Sequence, residues 1–483
     1  MAIISETNEE VGKPKSRSSI KLDRLYFFNK KYLLVQILVI NYNVDNLSKE
    51  GFLSYFVKNT VIKREREFMA LFNKSKKHYA IALDIGTEFV KVLVFSIEND
   101  TAHVIGVGRQ KQALSDMQGG RVTDIYGVIK NCDIALEQAF EEAKVTPKQC
   151  IIGIAGELVK GATTTIHYKR DKVSEKITVK ELKEIIEQVQ DRAFDKTRSE
   201  LAWESGQTEV DVKLVNSAVV DVRIDGYKVT NPIGFQGRDV QVGIFNAFAP
   251  IVHIGALQTV AEELKLDLLS IAAEPYAVAR CVGMEDSAEF SSIFIDVGGG
   301  TTDIAVVRAG GIDGTKMFAI GGRVFTKSIA DAFDKPFHEA EKLKLDYSSG
   351  KIAKDSEIYR KIRKAIEDDC EVWLSGVELA LEEFTNIELL PSKIMLCGGG
   401  SLLPEIQEYL SKTGWVKNLP FAKMPKIDFI KPSQVATVID DTGKLQSTQD
   451  ITPMGLANLA IDLAGDEKVV DNILDKIVDG LRS

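Results

Sequence analysis

The chain has 483 residues, of which 45% are hydrophobic and 27% are charged, a balance typical of soluble globular proteins. This length exceeds what one hydrophobic core serves, at roughly 100–200 residues for each domain, so several domains are expected. The formal net charge of −9 argues against a general nucleic-acid binder, because phosphate repels an acidic protein.

The first 77 residues differ in charge from the rest of the chain. They carry 15 Lys and Arg against 8 Asp and Glu, whereas the remainder carries 46 against 62. Their most apolar run, Tyr32–Ile40, is far shorter than the roughly 20 residues of a transmembrane helix, and it does not fit a secretory signal. We interpret 1–77 as an extension and hypothesise that Met69 is the true start. A poorly ordered tail and a membrane-associating arm are the alternatives.

Strand and helix patterns alternate after this extension. Tyr79–Asp84 and Val90–Ile97 are apolar, β-branched runs typical of strands, with a turn at Gly86-Thr87. Residues 125–144 have helix-like apolar spacing that stops before Pro147. The other predictions for the first half are a strand at Gln149–Ile154, a helix at 178–195, strands at 209–224 and 238–248, and a helix at 254–265.

The second half of the chain repeats this outline. The predicted elements are strands at Ser292–Asp296 and Ile304–Val307, helices at 325–333, 336–346 and most of 352–388, a strand at Ile394–Cys397, and a helix from Pro404. Such alternation predicts α/β domains. The turns Asp84–Thr87 and Asp296–Thr301 each join two apolar strands, so we expect two similar lobes that face one cleft.

The run Asp296–Asp303 (DVGGGTTD) is the strongest indication of a ligand site. Three consecutive glycines weaken a plain hairpin, but they let backbone N–H groups approach an anion closely. Thr301 and Thr302 add hydroxyl donors. Asp296 can hold the water ligands of Mg²⁺, because this ion prefers oxygen and keeps much of its hydration shell. A glycine-rich turn without a ligand is the alternative.

Two further turns extend this pattern. Asp84–Thr87 is less specific alone, but together with Asp296–Asp303 it predicts facing loops that grip a polyphosphate and Mg²⁺. Cys397–Pro404 (CGGGSLLP) places glycines between a buried strand and a helix, a position that accepts flat or anionic groups. The chain has neither a GxxxxGK[ST] loop nor a GxGxxG motif.

The cysteines and histidines show no metal-ligand spacing. No CxxC or HExxH occurs, so a zinc enzyme is not expected, and the thiols are predicted to be reduced. The cysteines are Cys132, Cys150, Cys281, Cys370 and Cys397.

The order of the three turns resembles the actin-like ATPase superfamily, over about residues 78 to 465. Gln118–Asp124 (QGGRVTD), Ile151–Glu157 (IIGIAGE) and Asn231–Gly237 (NPIGFQG) resemble the FtsA family of bacterial cell-division proteins. The resemblance implies an α/β, actin-like (ribonuclease H-like duplicated) two-lobed fold with a small inserted α+β domain of the SHS2 type. The implied boundaries are 78–102 and 206–274, with 451–465 returning, for lobe 1; 103–205 for the inserted domain; 275–323 and 385–450 for the core of lobe 2; and 324–384 for its subdomain.

The resemblance also implies ATP and Mg²⁺ as ligands, with Asp84 and Asp296 holding the metal through water. Glu341 and Lys344 lie in a segment similar to the family's ribose-contacting helix; a solvated charged face is the alternative. Glu274 resembles the acid that orients the attacking water, although it could instead be a helix N-terminal residue. The implied nucleotide-binding residues are Asp84, Gly86, Thr87, Asp296, Gly298, Gly299, Gly300, Thr301, Thr302, Gly322, Glu341, Lys344, Gly398, Gly399, Gly400 and Ser401.

By this resemblance we expect a cytoplasmic, polymer-forming scaffold that binds the C-terminal peptide of FtsZ and other divisome proteins. It would assemble head to tail and be at most a slow ATPase. A PilM-like adaptor of type IV pilus assembly and a small-molecule kinase are the alternatives. Residues 466–483 form a helical apolar stripe with 3 basic and 5 acidic residues. That charge favours packing on protein over peripheral contact with the inner face of the membrane.

Overall fold

The computed structural model describes residues 77–206, 208, 210–282, 290–461 and 463. The predictions for 1–76 and 466–483, including the start at Met69, lie outside these ranges. Within the described ranges, no helix has the length and apolar character needed to cross a membrane.

Strands and helices alternate along the described chain. The strands are β1 (His78–Ile85), β2 (Phe89–Glu98), β3 (Thr101–Lys111), β4 (Met117–Gln118), β5 (Arg121–Val122), β6 (Gln149–Ile154), β7 (Lys160–Lys169), β8 (Val212–Ile224), β9 (Tyr227–Lys228), β10 (Asp239–Pro250), β11 (Asp267–Ala273), β12 (Ser292–Val297), β13 (Thr302–Arg308), β14 (Gly311–Phe318), β15 (Lys393–Cys397), β16 (Lys426–Phe429) and β17 (Val438–Asp440). The α-helices are α1 (Ile125–Ala143), α2 (Val179–Ser205), α3 (Ile251–Glu263), α4 (Glu274–Cys281), α5 (Gly322–Phe333), α6 (Phe337–Ser348), α7 (Glu357–Ala365), α8 (Glu367–Glu382), α9 (Pro404–Leu410) and α10 (Ile451–Ile461).

The first sheet has the strand order β11-β6-β1-β2-β3-β17. Strands β1, β2 and β3 pair antiparallel, while β6 runs parallel to β1 and β11 runs parallel to β6. Two glycines of β3 bring α1 close to this sheet: a Cβ at Gly106 would lie 2.2 Å from the Ala139 carbonyl oxygen, and one at Gly108 would lie 1.8 Å from that of Ala135. Helix α10 packs on β1, β2 and β6 and returns the chain to this lobe.

The helix ends follow local chemistry. Asp124 caps α1, since its carboxylate accepts from the N–H groups of Tyr126 and Gly127. The same helix ends at Lys144 in the left-handed conformation (φ 56°), before the predicted stop at Pro147. Helix α2 begins at the Thr178 cap and runs to Ser205, beyond the predicted end at 195. The helical run predicted over 352–388 is divided between α7 and α8 at Ile366.

The second sheet has nine strands in the order β16-β15-β12-β13-β14-β7-β10-β8-β9. The strands β12 to β16 form lobe 2, and β7, β10, β8 and β9 extend the same sheet outward. The junction is narrow: Gly314 pairs with Ala162, and Thr315 pairs with Gly161. A Cβ at Gly161 would lie 2.3 Å from the Thr315 hydroxyl oxygen, so this contact needs glycine.

The sheet order differs from the boundaries predicted for the inserted domain. Within 103–205, most of β3 and all of α1 and β6 belong to the first sheet and its covering layer. The insertion that leaves this lobe consists of β7, α2, β8, β9 and β10, and the chain rejoins the lobe at α3 and β11. The prediction placed β8 and β10 in lobe 1 because strand patterns do not reveal which sheet a strand joins.

Three main cores hold these layers together. One lies under the first sheet and includes α4, α10 and one face of the lobe 2 strands. The opposite face of lobe 2 shares a second core with α5 to α8, so the helices of 324–384 rest on the strands they follow. The insertion has its own core between α2 and its strands.

Candidate functional site

A cavity of about 450 Å³ lies between the two lobes, within the size range of small-molecule sites. The three glycine-bearing turns predicted from the sequence all reach it. Predicted residues that line it are Asp84, Gly86, Thr87, Glu274, Asp296, Gly298, Gly299, Thr301, Gly322, Glu341, Lys344, Gly398, Gly399 and Gly400. The two halves of the chain therefore converge on one space, as the repeated turn suggested.

The first turn holds a buried ion pair. Asp84 is the last residue but one of β1 and is buried, and the Lys91 ammonium on the neighbouring strand lies 2.8 Å from its Oδ2. Burial lowers the pKa of Lys91, but the charge and hydrogen bond of Asp84, with help from Asp296, give a net raised pKa. Lys91 therefore stays cationic and lines the cavity, where it offers charge to an anion.

The second turn faces the first at contact distance. A Cβ at Gly299 would lie 2.8 Å from the Glu88 Cβ, and one at Gly300 would lie 2.7 Å from the Thr87 hydroxyl oxygen. Only glycine permits this approach without displacing the first turn. The run of glycines thus has a packing reason in addition to the expected approach of an anion.

Asp296 lines the cavity and is buried. Its Oδ2 accepts a hydrogen bond from the Thr452 hydroxyl at the start of α10. Burial raises the pKa of Asp296, while the Thr452 hydrogen bond and the charge of Lys91 oppose that shift. The third turn closes over it: Gly398 has φ 82°, and a Cβ there would lie 2.1 Å from Asp296 Oδ1.

A polar network anchors helix α5 at the edge of the cavity. The Lys344 ammonium donates to the Gly322 carbonyl at 2.8 Å and to the Thr326 hydroxyl at 2.7 Å, and it pairs with Glu341 Oε2 at 2.9 Å. Glu341 and Lys344 are three residues apart on α6 and so share one helix face. Their contacts are to protein, which contradicts the alternative of a solvated charged face.

Glu274 and Asp303 add two further acids to the cavity lining. Glu274 is the first residue of α4 and is 9% exposed. Burial, followed by the charges of Asp84, Asp303 and Asp296, raises its pKa well above the ordinary value. Burial and Asp296 likewise raise the pKa of Asp303, whose Oδ1 is buried without a hydrogen-bond partner in the described part of the chain.

An arginine that the motifs did not indicate connects the lobes. Arg323, on the first turn of α5, donates to Glu88 Oε2 at 2.8 Å, to the Thr87 carbonyl at 2.6 Å and to the Met117 carbonyl at 3.0 Å. Its own backbone N–H donates to the Gly299 carbonyl at 2.8 Å. One residue of lobe 2 thus fixes the turns of both lobes.

Three predicted residues do not line the cavity. Thr302 is fully buried; its hydroxyl donates to the Ile320 carbonyl and accepts from the Trp373 indole N–H. The Ser401 hydroxyl donates to the Gly398 carbonyl at 2.7 Å, so it stabilises the third turn from within. Gly300 faces Thr87. These residues shape the turns. The Thr302 hydroxyl, predicted as a donor to an anion, donates to the Ile320 carbonyl instead, while nucleotide binding by Gly300 and Ser401 stays a prediction.

The chain's own residues fit a magnesium–polyphosphate group better than a bare metal ion. Among the described residues, no three His, Cys, Asp or Glu side chains lie together as metal ligands. Mg²⁺ is commonly held by one or two carboxylates, waters and substrate phosphates. Asp84 and Asp296 would supply the carboxylates, and the glycine turns with Lys91 would supply the place for phosphate, since all of them line the cavity.

Known proteins with similar sequences support the expectations drawn from the motifs. The family model described as "Cell division protein FtsA" matches residues 293–440. The "Cell division protein FtsA" of Streptococcus pneumoniae serotype 2 is 23% identical over 350 residues, covering 69% of this chain and 73% of that protein. The protein of the same description from Neisseria meningitidis serogroup B is 25% identical over 367 residues, covering 70% and 82%. The resemblance to the FtsA family is confirmed.

A solved structure confirms the fold class. The chain described as "PilM-PilN type IV pilus biogenesis complex" superposes with a TM-score of 0.55 at 18% identity, covering 79% of this chain and 98% of that chain. The actin-like α/β architecture predicted from the turns is therefore the observed one.

Proposed function

We propose that this chain, a relative of the FtsA cell-division proteins with an actin-like fold, binds ATP with Mg²⁺ in the cavity between its lobes. The observation that carries the proposal is that the turns of Asp84 and Asp296 converge on one cavity, which Lys91 also lines while paired with Asp84. The paired carboxylates would hold a hydrated Mg²⁺, and Lys91 with the backbone of the glycine turns would hold the phosphates. The bound nucleotide would join the lobes.

The base and ribose would lie along α6. Glu341 and Lys344 are fixed there by Thr326 and Gly322, and the lining continues through Ser348 to Leu402 beside the third turn. A lining that combines this charged pair with apolar residues such as Leu402 would suit a nucleoside.

Hydrolysis would be slow. Glu274 is the predicted acid that would orient a water at the phosphate end, and burial with the neighbouring carboxylates raises its pKa, which disfavours its carboxylate form until a cation lowers that pKa. A protonated carboxyl orients water as a hydrogen-bonding group and is a poor base. Lys91 opposes this shift only in part.

In the cell, the protein would act in division as a scaffold that polymerises head to tail and binds FtsZ through the C-terminal peptide of FtsZ. It would work on the cytoplasmic side of the membrane with other divisome proteins. The match of the FtsA family model to 293–440 supports this over the pilus and kinase alternatives.

Nucleotide binding and polymer assembly can be tested in two successive experiments. Calorimetry should show ATP binding that Mg²⁺ strengthens, and Asp296→Ala should remove the magnesium-dependent part. Sedimentation with ATP, with and without lipid vesicles, then reports polymers and membrane contact. Absence of ATP binding to the wild type would refute the proposal; binding without sedimentation would refute only the polymer.

A further inference from the structure

A second cavity of about 330 Å³ lies behind the first turn, within the lobe of the first sheet. It opens between the β4–β5 hairpin, the end of β6 and the first half of α3. Three residues, Ile85, Gly120 and Ala155, line both this cavity and the one between the lobes. The wall between the two spaces is therefore thin: a Cβ at Gly120 would lie 2.9 Å from the Gly156 Cα.

The charge of this second cavity is opposite to that of the chain as a whole. Among the described residues that line it there is no Asp or Glu, and the charged one is Arg121. The Arg121 side chain is exposed and has no hydrogen-bond or ion-pair partner in the described part of the chain. The acid that follows it, Asp124, is occupied as the cap of α1. Arg121 is thus available to an anionic group from outside.

A histidine lines the same space, and one of its ring nitrogens is buried behind that lining. The Nδ1 atom of His253 is buried and has no hydrogen-bond partner among the described residues. Burial, and secondarily the charge of Arg121, lowers the pKa of His253, so the ring is neutral near pH 7. Helix α3, which carries this histidine, begins after Pro250, and the backbone N–H of Ile251 donates to the Asp211 carbonyl at 2.9 Å.

The rim of the cavity is apolar and exposed. Val252 lines it and is 73% exposed, and the neighbouring Ile251 is 51% exposed. On the first turn of α1, Ile125 lines the cavity and is followed by Tyr126, which is 83% exposed. Exposed apolar residues of this size around a concave site are typical of protein-binding surfaces.

We propose that this cavity binds a short peptide segment of a partner protein in which an apolar side chain stands beside a carboxylate. The carboxylate pairs with Arg121, and the His253 ring lines the cavity without adding an opposing charge. The apolar side chain enters between Val252 and the β4–β5 hairpin. An inorganic anion would use Arg121 but would leave the exposed rim uncovered, so the apolar rim favours a peptide.

The test is selection of a displayed random octapeptide library on the full chain, followed by anisotropy measurements on the enriched peptides. No nucleotide is added, so the result is independent of the proposed ATP binding. We expect enriched sequences with an acidic residue next to a large apolar one. Arg121→Glu and Val252→Asp should each weaken their binding at least tenfold, since each places a negative charge on a solvent-exposed position of the site.

The matched control is Lys130→Glu, which makes the same charge change at an exposed position of α1 that does not line the cavity. Thermal unfolding checks that all variants fold. Three results would overturn the proposal. The first is no enrichment, and the second is enriched peptides that bind Arg121→Glu as tightly as wild type. The third is a peptide that inorganic phosphate displaces and whose affinity falls as much in Lys130→Glu as in Arg121→Glu.

Discussion

Arg323 should control how readily the two lobes separate. Its guanidinium and the Glu88 carboxylate are only 15% and 14% exposed, and the same guanidinium serves the carbonyls of Thr87 and Met117. Hydrogen bonds to charged groups contribute roughly 1.5–3 kcal/mol each, but such contributions are not additive. Glu88 also keeps a second partner, the Lys111 ammonium at 3.1 Å, so its charge is not stranded when Arg323 is removed.

We therefore expect Arg323→Gln to weaken the contact between the lobes by about 2–3 kcal/mol, or roughly 30- to 150-fold in the closing equilibrium. A nucleotide held between the lobes should leave faster by a similar factor wherever opening limits release. Stopped-flow dissociation of a fluorescent ATP analogue measures this factor, and small-angle scattering without nucleotide measures opening of the lobes.

The matched control is Arg308→Gln. Arg308 also makes a two-pronged pair, with Asp313 at 2.5 and 3.0 Å, but both residues lie within lobe 2. Glu88→Gln should show a smaller effect than Arg323→Gln, because it leaves the carbonyl contacts intact. If Arg323→Gln matches Arg308→Gln in both dissociation rate and radius of gyration, the reasoning about lobe closure is wrong.

Three other changes have defined outcomes. Because Asp303 is protonated in the fold at pH values where the unfolded chain has lost that proton, stability falls as pH rises above about 4 toward the raised pKa, by at most about 1.4 kcal/mol per pH unit. Asp303→Asn should flatten this slope in urea unfolding at several pH values; an unchanged slope would contradict the assignment. Gly300→Ala should displace Thr87 and weaken ATP binding in calorimetry, whereas Gly414→Ala, which meets no atom within 4 Å, should not. Lys344→Met should release the start of α5 and weaken ATP binding about tenfold, and equal affinity would refute its anchoring role.

Many strands and helix starts could be predicted because the turns and caps that bound them have characteristic residues. Each Asp–glycine turn joins two apolar runs, and both runs appear as strands with nearly the predicted limits. Helix starts such as Asp124 and Thr178 follow from side-chain capping, which is local. The insertion boundaries did not follow, because pairing of β7 with β14 joins residues that are about 150 positions apart.

The site residues that belong to glycine or carboxylate motifs could be predicted from the sequence. Single residues whose contacts join segments far apart in the sequence could not. Lys91 lies across the β1–β2 hairpin from Asp84, so an antiparallel pairing of the two predicted strands could have indicated the ion pair. Arg323, Arg109 and Thr452 had no such signal. Arg109 donates to Gln449, and Thr452 donates to Asp296; each contact joins segments that only the folded topology brings together.

The junction between β14 and β7 gives the insertion a mechanical role. Its chain departs from one lobe, yet its strands continue the sheet of the other across two residue pairs. The Thr163 hydroxyl adds a hydrogen bond to the Ile312 carbonyl at the same seam. A rotation that moves the two lobes apart must either break the β7–β14 pairing or carry the whole insertion along with lobe 2. In the second case the position of α2 relative to the first sheet changes when the cavity between the lobes opens.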